Sequence, residues 1–191
     1  MMTTQAPTKT VSPEEYLAQE EKATERHEYI QGVVKAMVGG SFTHHKISLN
    51  LTISLSMALK KYPYEVCHAD MKLWIPLQQV ITYPDVMIAS KPLVMLEGRK
   101  DTVMNACLVA EVLSPSTRNY DHGEKFDYYR SIPEFQEYLL IEQEYVCVKH
   151  YVKIGAKKWS LTEYTELDDV IKLESVGCEI ALADIYEDIE L

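Results

Sequence analysis

Two acidic side chains in successive strand-like segments could together bind a metal ion. Asp85 follows Pro84 at the start of YPDVMIA, and Glu111 lies within the apolar run ACLVAEVL. An ionised carboxylate is almost never fully buried without a partner, because it loses its hydration. If the two segments form adjacent strands, the carboxylates converge and repel each other unless a cation lies between them. Oxygen ligands suit Mg²⁺ or Mn²⁺, and such an ion could activate a water molecule against a phosphoester.

Each acid has a simpler interpretation when it is taken alone. Asp85 could be a strand-start or turn residue, and Glu111 could pair with a lysine or an arginine. The chain after Glu111 favours the joint interpretation, because it continues through SPS into a helix that carries Lys125. Lys125 also has a simpler role available, as a surface partner of Asp121 four residues earlier, worth only about 0.2–0.5 kcal/mol.

The elements that must position these residues follow from the periodicity of the sequence. Ser12-Pro13-Glu14-Glu15 is a capping box that opens a short helix, and HEYIQGVVKAMV predicts a hairpin around Gln31-Gly32. A long helix is predicted in GGSFTHHKISLNLTISLSMALKKY, where one apolar residue recurs every four positions. A second capped helix is predicted over 121–131, with Asp121 as its cap.

The remaining segments alternate or are wholly apolar, which predicts strands. YEVCHADMKLWIP is interpreted as paired strands, and ACLVAEVL as a central strand because both of its faces are apolar. FQEYLLIEQ, YVCVKHYVKIG and KKWSLTEY predict three further strands, and IALADIYEDI a closing helix or turn. Helices before and within a run of strands predict a mixed α/β sheet with helices packed on it.

Composition limits the class of protein. A chain of 191 residues fits one domain over 11–191 after a disordered tail over 1–10. It contains no run long enough to span a bilayer and no signal-peptide core, and its four scattered cysteines form no CxxC pair, so we expect a cytoplasmic protein with free thiols. Its net charge of −10 repels a polyanion at long range, which counts against a nucleic-acid partner.

A family resemblance adds to this interpretation. The pieces HEYIQG, HHKISLNL, YPDVMI, AEVLSPSTRNYDHGEKFDYYRSIPEFQEYLLI and ALADIYEDI resemble the Uma-two family, a branch of the PD-(D/E)XK nuclease superfamily that is grouped with restriction endonucleases. The resemblance covers roughly residues 11–189, and its long block from Glu111 onward is the most specific part. It implies a restriction-endonuclease-like fold, a mixed β-sheet flanked by helices, with a metal site at the edge of the sheet.

The resemblance also implies the roles of individual residues. Asp85 and Glu111 would bind the metal, Mg²⁺ or Mn²⁺, and Lys125 would complete the catalytic set. The superfamily motif has a lysine two residues after the glutamate, where this chain has Leu113, so Lys125 is identified as a relocated lysine on the following helix.

Three other polar residues are possible auxiliaries of the site. Glu28 matches a glutamate of the family and could lie in the outer shell of the metal, or be an exposed strand residue. His44 lies near a helix N-terminus, which favours its neutral form, and no ligand set for zinc accompanies it. Asp121 is interpreted first as a helix cap.

The expected function is hydrolysis of DNA phosphodiester bonds by a metal-dependent endonuclease. Two alternatives stay open: a catalytically silent interaction domain that keeps the nuclease fold, and a hydrolase of another phosphoester. Cutting a duplex requires that two strands be addressed, which favours a two-fold homodimer.

Overall fold

The structure is a computed structural model that describes residues 10–190. The predicted disordered tail over 1–10 lies outside the described residues except for Thr10, which is exposed coil. None of the helices in the described part of the chain is long and apolar enough to cross a membrane.

Thirteen strands and five α-helical segments follow one another along residues 10–190. The helices are α1 Pro13–Glu20, α2 Phe42–Ala58, α3 Arg118–Tyr120, α4 Phe126–Tyr129 and α5 Leu182–Ile185, and a π-helical turn over Asp121–Lys125 joins α3 to α4. The strands are β1 His27–Ile30, β2 Val33–Ala36, β3 Tyr64–His68, β4 Lys72–Ile75, β5 Val80–Thr82, β6 Val86–Ser90, β7 Thr102–Val103, β8 Ala106–Leu113, β9 Glu137–Glu142, β10 Val148–Gly155, β11 Lys158–Tyr164, β12 Val170–Leu173 and β13 Cys178–Ala181.

The strands form two main sheets and one hairpin. The larger sheet has six strands in the order β11-β10-β9-β8-β6-β3, and β8 pairs parallel with β9 but antiparallel with β6. The smaller sheet has five strands in the order β2-β1-β5-β4-β7, and β12 pairs with β13. This is a mixed α/β domain, as predicted, although its strands are divided between sheets.

Strand β8 separates two hydrophobic cores. Its even-numbered residues, such as Leu108 and Val112, pack with Ile47, Leu51 and Leu55 of α2. Its odd-numbered residues Val109 and Leu113 pack on the opposite side, where Tyr129 of α4 and the smaller sheet cover them. Glu111 belongs to the odd set, because side chains alternate along a strand. It therefore faces α4 and the smaller sheet.

Two sequence-based predictions about local elements are wrong. YEVCHADMKLWIP does form two strands, but β3 pairs with β6 and β4 pairs with β5 and β7, so the strands belong to different sheets. The predicted helix over 121–131 begins three residues earlier, at Arg118, and helical structure ends at Tyr129. The hairpin β12–β13 lies in a part of the chain for which the sequence predicted no strand, and its last two residues overlap the predicted closing helix or turn.

Candidate active site

Glu111 is buried at the end of β8 and makes three polar contacts. Its side chain is almost wholly inaccessible, with 2% of the residue surface exposed. The Lys125 ammonium donates to Oε1 at 3.0 Å and the Tyr129 hydroxyl donates to the same oxygen at 2.5 Å. The second oxygen, Oε2, accepts only a long hydrogen bond of 3.4 Å from the Asp85 backbone N–H. Glu111 is therefore held through one oxygen, and the other is less committed.

Asp85 directly precedes β6 and lies beside the end of β8, because Val86 pairs with Ala110. Its Oδ2 accepts from the Val112 backbone N–H at 2.8 Å and lies 3.1 Å from His44 Nε2. Both contacts involve Oδ2 of Asp85. The Asp85 side chain keeps 23% of its surface exposed. The structure therefore places Asp85, at the start of β6, beside Glu111 on the adjacent strand β8, as predicted.

Lys125 lies in the helical segment between β8 and β9, and its side chain extends to Glu111. Its ammonium lies 3.0 Å from Glu111 Oε1, 3.1 Å from Asp121 Oδ1 and 3.9 Å from Glu28 Oε1. The predicted pair with Asp121 exists, but it is buried rather than on the surface, since only 8% of the Lys125 side chain is exposed. This environment raises the pKa of Lys125 well above its usual value, because the three acids outweigh the effect of burial.

The interpretation of Asp121 as a helix cap is wrong. The helix begins three residues before it, so the Asp121 backbone N–H already donates to the Thr117 carbonyl. The side chain is turned to Lys125 and is buried, with 2% of the residue surface exposed. Asp121 is thus a charged partner of Lys125, at the first residue of the π-helical turn.

Glu28 is contributed by the other sheet. It lies in β1, is 7% exposed, and accepts a hydrogen bond from the Thr82 hydroxyl. Its interpretation as an exposed strand residue is wrong, because the smaller sheet packs against the face of β8 that carries Glu111. Glu28 lies near Lys125, and the structure gives it no contact with Asp85.

His44 is positioned by Gly40 and Ser41, the two residues that precede α2. The helix N-cap Ser41 accepts from the His44 backbone N–H at 3.0 Å. A Cβ added to Gly40 would lie 2.7 Å from His44 Nδ1 and 2.9 Å from Cγ, so only glycine leaves room for the ring. Burial lowers the pKa of His44, but the hydrogen bond to Asp85 and the surrounding carboxylates outweigh it and raise the pKa overall. The contacts with Asp85 and the other acids therefore favour the charged form of the ring, which is the opposite direction from the effect expected of the helix N-terminus alone.

The cluster carries more negative than positive charge. Four acids, Glu28, Asp85, Glu111 and Asp121, surround Lys125 and His44. Burial raises the pKa of Glu111 to about 8, because the opposing effect of Lys125 is partly cancelled by Asp85 and Asp121. A site with this excess stabilises an added cation.

A cavity of about 880 Å³ opens over these residues. Asp85, Glu111, Asp121, Lys125 and His44 all line it, together with the segments 37–41 and 114–117. Glu28 does not line the cavity. It lies behind Lys125 and contacts that side chain rather than the open surface of the site. The predicted catalytic residues are thus brought together at the floor of one cavity.

The donor set fits a cation that keeps part of its water shell. Across residues 10–190 there is no group of three or more His, Cys, Asp or Glu side chains arranged to hold a metal ion. Mg²⁺ is commonly bound by one or two carboxylates, waters and substrate phosphates rather than by a complete protein cage. Asp85 Oδ1 and Glu111 Oε2, each on a cavity-lining residue with few competing contacts, match that requirement.

Sequence reasoning missed the role of Tyr129. Tyr129 is fully buried in the core, yet its hydroxyl donates to Glu111. The spacing of four residues from Lys125 was a usable signal, because residues at i and i+4 share a helix face. Gln143 was also missed: it lines the cavity, accepts from the Ser41 hydroxyl at 2.5 Å and donates to the Leu113 carbonyl at 2.7 Å.

The architecture is a restriction-endonuclease-like mixed α/β domain, and a solved structure has the same fold. A crystal structure from Anabaena variabilis, described as that of "a putative nuclease belonging to DUF820", superimposes with a TM-score of 0.72. The match covers 92% of this chain and 97% of that chain at 15% sequence identity. At this identity the likeness shows the fold alone.

The chain belongs to the Uma2 family, whose model is described as "Putative restriction endonuclease" and matches residues 13–183. It is 41% identical over 158 residues to the uncharacterized protein sll1609 of Synechocystis sp., covering 83% of this chain and 89% of the relative. A second protein of that organism, the uncharacterized protein slr1290, is 39% identical over 183 residues, covering 95% and 94%. The resemblance seen in the sequence is confirmed, and it supports a nuclease-like function.

Proposed function

We propose that this protein is a metal-dependent endonuclease that hydrolyses DNA phosphodiester bonds. The observation that carries the proposal is the meeting of Asp85, Glu111 and Lys125 at the floor of one cavity, in a chain of a restriction endonuclease family. The excess of carboxyl groups over cationic side chains supports the metal, because Mg²⁺ or Mn²⁺ would favour the ionised form of these carboxyl groups and balance their charge.

Each residue has a distinct role in this proposal. Asp85 and Glu111 would hold the metal through Asp85 Oδ1 and Glu111 Oε2, the carboxylate oxygens with the fewest contacts to the protein. Bound there, the metal would polarise a phosphoryl oxygen and lower the pKa of a water molecule. Lys125 opposes the effect of burial on the Glu111 carboxyl group and brings positive charge to the floor of the cavity, where the scissile phosphate would lie.

The auxiliary residues orient this set. Tyr129 fixes the rotamer of Glu111 by donating to Oε1. Asp121 and Glu28 balance the charge of Lys125 and hold its ammonium beside Glu111. His44 and the Val112 backbone N–H hold Asp85 through Oδ2, which leaves Oδ1 for the metal.

The proposal is tested by comparing Asp85→Asn with the wild type in two assays. The wild type should bind Mn²⁺ and nick a plasmid with Mg²⁺ or Mn²⁺, and Asp85→Asn should lose both properties while its melting temperature is kept. Asp168→Asn is a matched control, because Asp168 is exposed on the loop before β12. If the wild type binds no metal and cuts no nucleic acid, the silent-domain alternative holds; if it cleaves only a small phosphodiester, the substrate is another phosphoester.

The homodimer and the cytoplasmic location stay predictions. Light scattering at micromolar concentration tests the homodimer, and a monomer with full activity on a plasmid would contradict it.

A further inference from the structure

Helix α2 carries no charge over most of its length, although one side of it is exposed. Residues 47–59 contain no Asp, Glu, Lys or Arg. The buried side of the helix packs on the larger sheet through Ile47, Leu51 and Leu55. The opposite side belongs to the surface, where a helix normally carries charged or polar residues. A helix that is apolar on both sides is typical of one that is covered on both sides.

Three large apolar side chains form a stripe along the exposed side of α2. Leu49, Ile53 and Met57 recur every four residues and keep 51%, 49% and 74% of their surfaces exposed. Residues at i and i+4 share a helix face, so the three side chains lie one above another. An exposed apolar patch with a polar rim marks an interaction surface. These three residues are called the α2 stripe below.

An acidic border follows the α2 stripe on one flank. A groove of about 380 Å³ runs between α2 and the segments β13 and α5. Ile53 and Met57 line one side of this groove, and Glu179, Asp184 and Glu187 line the other. All three acids are exposed. Within residues 10–190, Asp184 and Glu187 form no ion pair, in contrast to the neighbouring acids Glu179 and 188.

Two lysines without an acidic partner lie at the end of the same helix. Lys60 and Lys61 directly follow the C-cap of α2 and are exposed, and neither forms an ion pair with another residue of the described part of the chain. Glu187 lies on the other side of Ile53 along the helix, because Asn50 Nδ2 donates to the Glu187 carbonyl at 2.9 Å. Unpaired negative and positive charges therefore flank the α2 stripe at opposite ends.

We propose that the α2 stripe is the interface of a homodimer, in which two copies of α2 pack antiparallel about a two-fold axis at Ile53. Leu49 and Met57 lie four residues on either side of Ile53, so Leu49 of each copy would pack against Met57 of the other. A two-fold axis requires one patch that complements itself, and this spacing provides it. Packed helices lie about 8–10 Å apart, so the three side chains would be removed from water.

The antiparallel arrangement also pairs the charges that the single chain leaves unpaired. Lys60 and Lys61 of one copy would lie beside the part of the partner helix that precedes Ile53, on the flank that carries Asp184 and Glu187. A parallel arrangement would place lysine beside lysine and leave the acids unpaired, which opposes association. Charge complementarity therefore selects a second copy of this chain, in antiparallel orientation, as the occupant of the surface.

The proposed interface is separate from the candidate active site. None of the residues of the α2 stripe lines the cavity over Glu111, so the proposal does not depend on nuclease activity. His44 lies near the N-terminal end of α2. At a rise of 1.5 Å per residue, the two His44 residues of the dimer would lie about 27 Å apart along the helix axes. One cavity would lie at each end of the paired helices.

Sedimentation velocity of the full chain at micromolar concentration tests the interface, and the wild type should be a dimer. Ile53→Glu should weaken dimerisation by at least about 100-fold, because each dimer would bury two unpaired carboxylates at its centre. Leu77→Glu is the matched control, because Leu77 is an apolar residue with 75% of its surface exposed that lies between β4 and β5, outside the α2 stripe. It should dimerise like the wild type. Thermal melts of both variants check that the fold is kept.

A mixing experiment tests the antiparallel arrangement. Lys60→Glu/Lys61→Glu and Asp184→Lys/Glu187→Lys should each dimerise about 10-fold more weakly than the wild type, because like charges then face each other on both edges of the interface. Mixed in equal amounts, the two variants should form a heterodimer about as stable as the wild-type dimer, because each edge regains opposite charges.

A wild-type chain that stays monomeric at micromolar concentration would overturn the proposal, as would an Ile53→Glu variant that dimerises like Leu77→Glu. Charge variants that associate no better together than apart would show that the two copies do not pair antiparallel through these edges. Each of these measurements is made without a nucleic acid, so its failure is distinguished from a failure of the proposed nuclease function.

Discussion

Two clusters of charged side chains differ in their balance of positive and negative groups. The site cluster consists of Glu28, His44, Asp85, Glu111, Asp121 and Lys125, and four of its six members are acids. The Arg99 cluster consists of Glu21, Lys72, Arg99 and Asp101, with two cations and two acids. Arg99 donates twice to Asp101, at 3.0 and 2.8 Å, and Lys72 donates to it at 2.7 Å.

The pKa values of the central carboxylates differ accordingly. Burial raises the pKa of Asp101 somewhat, but the hydrogen bonds from Arg99 and Lys72 outweigh it and hold the pKa well below its usual range. The pKa of Glu111 is raised to about 8, because one lysine cannot compensate its burial among other acids. A balanced cluster stabilises the fold by itself, whereas an unbalanced one is kept at the cost of stability and is a signature of a site that binds a further charge.

The largest difference should come from removing the buried lysine of each cluster. Lys125→Ala should reduce nuclease activity by about 10²- to 10³-fold, as loss of one positioned charge stabiliser does, and destabilise the fold by about 3–5 kcal/mol, because it leaves buried acids unpaired. Lys72→Ala, which removes another lysine with an 8% exposed side chain, should destabilise by about 1–3 kcal/mol and leave activity unchanged. Plasmid nicking well below each melting temperature measures the activity, and denaturant titration the stability.

Comparison of the two variants distinguishes catalysis from structure. If activity falls in Lys125→Ala and Lys72→Ala in proportion to their loss of stability, Lys125 is a structural partner of Asp121 and Glu111 only. Lys125→Arg should rescue activity poorly, because a planar guanidinium does not replace an ammonium among three carboxylates.

A smaller loss of activity is expected when the His44 ring of the site cluster is displaced. Gly40→Ala should lower activity by about 10- to 100-fold, because the added methyl group forces the His44 ring away from Asp85. Gly39→Ala is the matched control, since a Cβ at Gly39 would have no atom within 4 Å. Steady-state nicking rates measure the effect, and similar rates in the two variants would show that His44 does not position Asp85.

Neutralising one acid in each cluster should change stability in opposite directions. In the absence of metal, Glu111→Gln should unfold at the same or a higher denaturant concentration than the wild type, because it removes a carboxyl group whose ionisation is opposed by burial and by the neighbouring acids, while activity is lost. Asp101→Asn should lower the free energy of unfolding by about 1 kcal/mol, because Arg99 and Lys72 lose a partly exposed anionic partner. A Glu111→Gln variant less stable than Asp101→Asn would show that the site cluster is not strained by charge.

The smallest effect is a pH dependence in the balanced cluster. The pKa of Asp101 is lower in the folded protein than its ordinary value of 3.8, so the folded state binds its proton more weakly than the unfolded chain. Its contribution to stability is complete above that ordinary value and is lost as the pH falls through the lower, folded-state value. The stability gap between Asp101→Asn and the wild type should therefore stay constant from neutral pH to about pH 5 and narrow below the ordinary pKa. Denaturant titrations across that pH range measure the difference in free energy of unfolding between the variant and the wild type. A difference that grows on acidification would contradict the lowered pKa of Asp101.

Sequence reasoning predicted those parts of the site that depend on strand order and motif. Asp85 and Glu111 were expected on adjacent strands, and the β6–β8 pairing brings them together. The long helix, the first hairpin and the central position of β8 follow from period and composition. Lys125 was placed correctly in the fold by its motif, although its catalytic role stays a prediction.

The rest of the site depends on packing between segments that the sequence does not encode locally. Glu28 is buried because the smaller sheet covers β8, and no pattern in HEYIQG announces that contact. The start of the helix at Arg118 was missed because Thr117 provides no side-chain cap there. Strands β3 and β4 were interpreted as a pair because hairpin partners usually follow one another, whereas here the chain changes sheet between them.

The parallel pairing of β8 with β9 has a consequence for how the site forms during folding. Parallel neighbours need a crossover connection, and this crossover carries Lys125 and Tyr129, only 14 and 18 residues from Glu111. Asp85 lies 26 residues away, but the Thr82 contact of Glu28 spans 54 residues. The entropy lost in closing a loop grows with its length. Asp85, Glu111, Lys125 and Tyr129 are therefore joined by contacts of short sequence separation, and the smaller sheet adds Glu28 through a contact that is entropically more costly to form.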